Sequence, residues 1–210
     1  MKRLKIIIIA VILTASIILC FFLFPKKYSG KHFGIDPYVS SVDKDADGVD
    51  DQTDILKNVR EYIATKPKYK SVYYAGGYPT DQYGVCTDVV AQGLLGAGYD
   101  LQLLVDADIA ARPEAYDIDK ADSNIDFRRV RNLLVYFKEH AISLTLDPKR
   151  IEEWQGGDIV VFKNHIGIVS DLRNRKGIPY IIHHANPLQV KYEEDVFSYR
   201  DDVLGHFRIS

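Results

Sequence analysis

Hydrophobic positions change their spacing twice along the chain. Residues 6–24, IIIIAVILTASIILCFFLF, form an almost unbroken apolar run. Between residues 55 and 140 the spacing is helical. Ile55, Leu56, Val59, Tyr62 and Ile63 share one face of a helix that Pro67 ends, and Phe127, Val130, Leu133, Leu134 and Phe137 line another. A third helix starts near Cys86, runs through VVAQGLLGAG and stops at Gly98, and LQLLVDADIA reads as a short fourth. From residue 143 the pattern becomes short apolar runs between polar or Gly/Pro turns: SLTL, DIVVF, HIGIVS, YIIHHA and GHFRIS. Helices first and an antiparallel meander afterwards predict an α+β domain, without internal repeats.

The leading run has 19 residues, flanked by MKRLK and PKK, and roughly 20 apolar residues cross a bilayer as a helix. It ends in Phe-Leu-Phe-Pro, which offers no small-residue cleavage site, and bulky Leu19 before Cys20 argues against a lipid anchor. The expectation is one transmembrane helix over 6–24 within a membrane anchor of residues 1–27, its N-terminus inside and the rest extracytoplasmic. Residues 28–42 read as a linker or covering arm, and 43–210 as the domain.

Charge narrows the partners. The first 27 residues hold five of the 27 Lys and Arg and none of the 29 Asp and Glu, which leaves the remainder at −7. An acidic domain is a poor partner for nucleic acid. Cys86 is the only thiol outside the apolar run, so the domain forms no internal disulfide.

DKDADGVDDQTD, residues 43–54, has Asp at loop positions 1, 3, 5, 9 and 12 and Gly at 6. This is the spacing of a calcium loop, in which alternate side chains converge on one cation. The candidate ligands are Asp43, Asp45, Asp47, Asp51, Asp54 and the Val49 carbonyl, with Ca²⁺ in a structural role. Position 12 is Asp rather than Glu, and YVSSV does not read as an entering helix, so the loop looks more like the single calcium loops of extracellular modules such as dockerins than an EF-hand. The competing reading is a solvated acidic turn that caps the helix at Ile55.

Cys86 opens an apolar helix, where free amides and the helix dipole favour a thiolate; the alternative is a buried core thiol. Asp88 either caps that first turn or opposes the thiolate. A cysteine nucleophile needs a base, and the base needs an orienting group. His165 heads HIGIVS, and His183 and His184 follow on the next strand, where neighbours point to opposite faces, so only one shares a face with His165. Zinc is disfavoured, because no CxxC or HExxH is present. Asp126, Arg128 and Arg129 read as a salt-bridged corner in preference to cleft walls, and Trp154 as a core or rim aromatic.

YYAGGYPTDQYGVCTDVV resembles the nucleophile region of NlpC-type papain-like hydrolases, and HIGIVSD followed by YIIHHA resembles their later catalytic strands. GVCTDVV, GYDLQLLV, NIDFRRVRNL, WQGGDIVVF, HIGIVSD and GHFR together resemble an uncharacterised bacterial DUF family related to that clan, its members sometimes labelled amidases, over residues 55–208. The resemblance implies a papain-like NlpC-type fold and a Cys86–His165–His183 triad, with His184 the alternative third member and Tyr73 lining the site. Val85-Cys86-Thr87-Asp88 departs from the usual Asp-Cys-Ser-Gly. The expected function is an anchored cysteine hydrolase that cleaves amide or peptide bonds, with cell-wall peptidoglycan as substrate and no organic cofactor. The alternative is a non-catalytic, calcium-stabilised cell-envelope binding module on the same fold.

Overall fold

In the computed structural model, which describes residues 26–209 and the helical positions 7–9, 11–14 and 16, the stripe of Ile55 and Val59 becomes helix α1 (Asp51–Ala64). Asp50 caps it, accepting the Thr53 N–H at 3.3 Å, and also takes the Ser40 N–H at 2.8 Å, which ties the preceding arm to the helix start. Helix α2 (Cys86–Gly96) is apolar nearly all round because it lies between α1 and the sheet, with Val89, Val90, Ala91 and Leu94 fully buried. Gly93 permits the close crossing, since a Cβ there would stand 3.1 Å from Val59 Cβ. Helix α3 (Leu101–Ala111) is capped by Asp100, which accepts from the N–H groups of Gln102 and Leu103.

The one long helix expected around residues 124–141 is split. Residues Asp126–Arg128 form a 3₁₀ turn, Arg129 is extended, and helix α4 (Val130–His140) follows. The Asp126 carboxylate takes the Asp122 N–H at 2.7 Å, and Asn132 Nδ2 donates to the Asp126 carbonyl at 3.1 Å. These side chains compete with helical bonding, which apolar periodicity does not register.

The strands are β1 (Tyr28–Ser29), β2 (Lys68–Tyr69), β3 (Tyr83–Gly84), β4 (Ile142–Ser143), β5 (Ile159–Phe162), β6 (His165–Arg173), β7 (Pro179–Ile182), β8 (Glu193–Glu194) and β9 (Val203–Arg208). Strands β2 and β3 form a small parallel pair. The others make an antiparallel sheet in the order β4-β9-β5-β6-β7-β8, with β1 pairing the far end of β6. Strands β5 to β7 are the expected meander, β8 adds a strand the sequence did not suggest, and β9, from the run GHFRIS, returns to lie between β4 and β5. Within residues 28–42, Tyr28–Ser29 pairs with β6, and SLTL contributes only Ser143 to a strand.

Ile159, Val161, Ile166, Ile168, Ile182 and Phe207 meet the helices on one face of the sheet. Val160, Phe162, Val169 and Ile181 pack with Trp154 and Val196 on the other. Burial on both faces explains why DIVVF and YII read as continuous runs. Trp154 is a core residue, stacked 3.6 Å from the His206 ring. His206 Nε2 meets buried Asp158 at 3.0 Å, and Asp158 also receives Arg208, Gln52 and the Gln155 N–H, so one carboxylate joins α1, β5 and β9.

The expected architecture needs two corrections. The transmembrane helix is not found: among the described residues no helix is long and apolar enough to cross a membrane, and most of residues 6–24 lie outside the described set. The finer assignment to a papain-like NlpC-type fold does not stand either. What holds is an α+β domain with its helices on an antiparallel sheet. Local motifs report the surroundings of single residues and carry no information on strand order, and here β9 is interposed between β4 and β5.

Asp158→Ala strands the Arg208 guanidinium and His206 without their shared carboxylate. Urea unfolding is expected to show a loss of about 3–5 kcal/mol. A loss below about 0.5 kcal/mol, the usual range for surface changes, contradicts this role for the cluster.

Candidate active site

Cys86 is the first residue of α2, and its local geometry is set by Asp88. The Asp88 carboxylate, fully buried, accepts the Val85 N–H at 2.8 Å ahead of the helix. Arg128 grips the same carboxylate through Nε at 2.7 Å and Nη2 at 2.9 Å, while its Nη1 donates to the Val72 carbonyl at 2.8 Å. Asp88 is therefore a positioning group, and NIDFRR is a salt-bridged corner. Gly84 is needed just before Cys86 because a Cβ there would collide with the Tyr62 hydroxyl.

The Cys86 sulfur faces the backbone amides of Ile166, Thr87 and Cys86 itself, all of which favour a thiolate. Burial opposes them more strongly, Asp88 adds to it, and the thiol is pushed up to about 11. The resting group is the neutral thiol, because desolvation outweighs the advantage of the helix start.

His165 is the first residue of β6. Its Nε2 lies 2.9 Å from Nδ1 of His183, and His183 Nε2 lies 3.4 Å from Glu194 Oε2, so the three side chains form a chain leading away from the site. With Nε2 engaged, Nδ1 is the His165 nitrogen left for a reacting group. Burial, then the neighbouring His183 and Arg200, drive His165 down to about 3, so its imidazole is neutral at pH 7. Gly167, two residues along the same face, makes room for the pair: a Cβ there would stand 2.6 Å from Ile181 Cγ2, 2.8 Å from the Ile182 carbonyl and 3.2 Å from His183 Cβ.

No hydrogen bond joins Cys86 to His165. Alternation along β6 puts the His165 ring on the face of Phe162, its register partner, whereas α2 packs on the Ile166 face. Arg200 stands at this strand end, its guanidinium 4.8 Å from the Phe162 ring centroid and held by Asp202, and its charge bears on both Cys86 and His165.

The remaining expected residues separate. His184 is buried beside His183 but not paired with His165; its ring lies edge-on to Tyr69 and Tyr192, and its Nδ1 has no partner. Tyr73 is exposed and bonded to Asp122 and Asn124. Tyr69 is instead the tyrosine near Cys86, because β2 pairs with β3 in the register Tyr69 to Gly84; burial first, and then the neighbouring Cys86, raise its hydroxyl. Glu194, Arg200 and Tyr69 were missed from sequence, and the adjacent acids of KYEED were the only hint of Glu194. In the acidic loop, Asp43, Asp45 and Asp47 converge, each offering an oxygen within 4.8 Å of the others. Asp51 does not join them: it accepts the Lys44 N–H at 2.7 Å and the Tyr99 hydroxyl. Val49 donates its N–H to Asp47 at 2.8 Å, and Asp54 is buried at the loop's end.

Residues 56–209 match the family described as a domain of unknown function, DUF1287. The chain belongs to the DUF1287 family. The uncharacterized protein YijF of Escherichia coli (strain K12) is 38% identical over 152 residues, covering 68% of this chain and 72% of YijF. No solved structure matches the chain. The DUF1287 match spans Cys86, His165, His183 and Glu194, and begins after the acidic loop.

Two measurements test the histidine pair. Between about pH 3 and 6.5 the unfolded chain binds a proton at residue 165 that the folded chain refuses, so stability is lost as pH falls through this window. His165→Asn is expected to flatten that part of the stability–pH curve relative to wild type; an unchanged slope contradicts a buried neutral His165. Gly167→Ala is expected to cost about 1–3 kcal/mol by overpacking and to displace His183, visible as shifted imidazole resonances of both histidines in NMR.

Proposed function

We propose that this chain is a cysteine hydrolase that cleaves amide or peptide bonds by acyl transfer, with Cys86 as nucleophile, His165 as base and His183 as the group that orients it. The observation that carries this reading is the 2.9 Å contact of His165 with His183 at the strand end whose next amide, that of Ile166, faces the Cys86 sulfur. Glu194 extends the chain and favours the His183 tautomer with its proton on Nε2, which leaves Nδ1 to accept from His165.

In the reaction, His165 Nδ1 takes the thiol proton as Sγ adds to the carbonyl carbon. The oxyanion is held by the Cys86 N–H at the helix start. The intermediate collapses as His165 returns the proton to the leaving amine, and water then hydrolyses the thioester. The thiol and imidazole are both neutral at rest, so the reactive ion pair forms only once His165 turns towards the sulfur and each charge supports the other. Catalytic contacts of this kind commonly tighten on substrate binding. Arg200, near both groups, supplies positive charge for the thiolate.

Peptidoglycan is the substrate proposed, on the likeness of the cysteine and histidine motifs to NlpC-type hydrolases. The non-catalytic binding module is retained as a second reading because Cys86 and His165 share no hydrogen bond.

Digestion of purified peptidoglycan separates the two. The hydrolase releases new amino groups, Cys86→Ala abolishes release while keeping the circular dichroism of wild type, and His165→Ala lowers kcat/KM by about 10²–10⁴-fold. Wild-type protein that sediments with peptidoglycan but releases nothing, with Cys86→Ala binding equally, establishes the binding module and overturns the hydrolase.

A further inference from the structure

A cavity of about 390 Å³ lies where residues 29–38 cross the start of α1 and the end of β6. Tyr28 pairs with Arg173 on one side of it, and the Tyr38 N–H donates to Gln155 Oε1 at 3.2 Å on another. Strand β6 has nine residues, and at about 3.3 Å per residue its Arg173 end is roughly 26 Å from His165. The proposed chemistry makes no use of this end.

Two residues that line the cavity are almost fully buried, and each carries a polar atom without a partner. Arg173 is 1% exposed, and among the described residues no carboxylate lies within ion-pair distance of it. Its hydrogen bonds go to the carbonyls of Ile151, Gly177 and Trp154, and its Nε makes none. That Nε lies beside Gly30 of the cavity wall, where a Cβ would stand 3.7 Å from it. Gln52, in the first turn of α1, is also 1% exposed. Its Nε2 donates to the Gly156 carbonyl at 2.7 Å and to Asp158 at 2.9 Å. Those two acceptors fix which way the amide faces, and Oε1 is left as an acceptor without a donor.

A buried guanidinium without a counter-charge and a buried amide oxygen without a donor are both costly. One small molecule with an anionic end and an N–H group would meet both. The rest of the lining agrees with such a molecule. Ile35, Pro37 and Leu56 supply apolar wall, and Lys31 and Asp171, which also holds Arg60, add a charge of each sign.

We infer that this cavity binds a free amino acid with an apolar side chain. The carboxylate meets Arg173 and Lys31, the ammonium group meets Gln52 Oε1 and Asp171, and the side chain lies against Ile35, Pro37 and Leu56. The volume is at the small end of the range for ligand pockets, which suits a molecule of this size. Because its wall comes from three separate segments, the bound molecule joins residues 29–38 to α1 and β6. This inference is independent of the hydrolase reading.

The test is saturation-transfer NMR and thermal unfolding of the full-length protein with alanine, valine, leucine, methionine and phenylalanine, each in the L and D forms. At least one is expected to bind saturably, with Kd at or below about 1 mM, and to raise Tm. The amine or the carboxylic acid that lacks its other charged end is expected to bind about tenfold more weakly or worse, the size of one charge-assisted hydrogen bond. Gln52→Leu weakens binding about tenfold or more by removing the acceptor. Lys31→Glu, at an exposed position that tests the site even where Gln52→Leu fails to fold, weakens it about fivefold or more by repelling the carboxylate. Lys149→Glu, exposed and outside the cavity, leaves binding unchanged. Absence of saturable transfer and of any Tm shift with all of these amino acids at about 10 mM overturns the site and leaves ordered water as its occupant. Wild-type affinity in Lys31→Glu also overturns it, and equal binding of the amine or the acid overturns the class of ligand.

Discussion

The ion pair of Asp88 with Arg128 fixes the point at which the Cys86 helix begins, and the candidate site depends on that point. Asp88 accepts the Val85 N–H and the Nε and Nη2 of Arg128, while Arg128 Nη1 holds the Val72 carbonyl and the guanidinium lies under Tyr74. One buried contact thereby joins the loop before β3, the first turn of α2 and the 3₁₀ turn before α4. Breaking a buried pair leaves a stranded charge, so this junction tolerates little movement. That rigidity keeps the sulfur against the amide of Ile166.

From the sheet side, the constraint is space. His183 reaches His165 across Gly167, and any side chain at 167 meets the neighbouring strand. The price of this placement is desolvation: the thiol is driven up and the imidazole down, so the same burial that orders the groups keeps both neutral. Arg200 acts on the two groups in opposite senses, favouring a thiolate at Cys86 and opposing an imidazolium at His165. Cys86 and His165 share no hydrogen bond in this arrangement.

The DUF1287 match runs from within α1 to the end of β9, which includes every residue in the histidine chain. The acidic loop precedes the matched segment, yet packs on the end of α2 and on the cap of α1. The loop and the site are thus the two ends of one helix.

Much of this was legible in the sequence because it depends on residue type and local spacing. Apolar periodicity located α1, α2 and α4, continuous runs located β5 to β7, and the rarity of cysteine and histidine singled out Cys86, His165 and His183. The parity of His183 and His184 stayed open, because it depends on a hairpin register that pairs Ile168 with Ile182. Glu194 was invisible for the same reason, being placed by pairing with Ile181, and Tyr69 displaced Tyr73 through two short parallel strands that no periodicity marks. The sequence by itself determined which side chains can do chemistry and which faces are apolar. Only the tertiary structure decided which of them meet and how deeply they are buried, because strand register and desolvation arise from contacts between residues far apart in the chain.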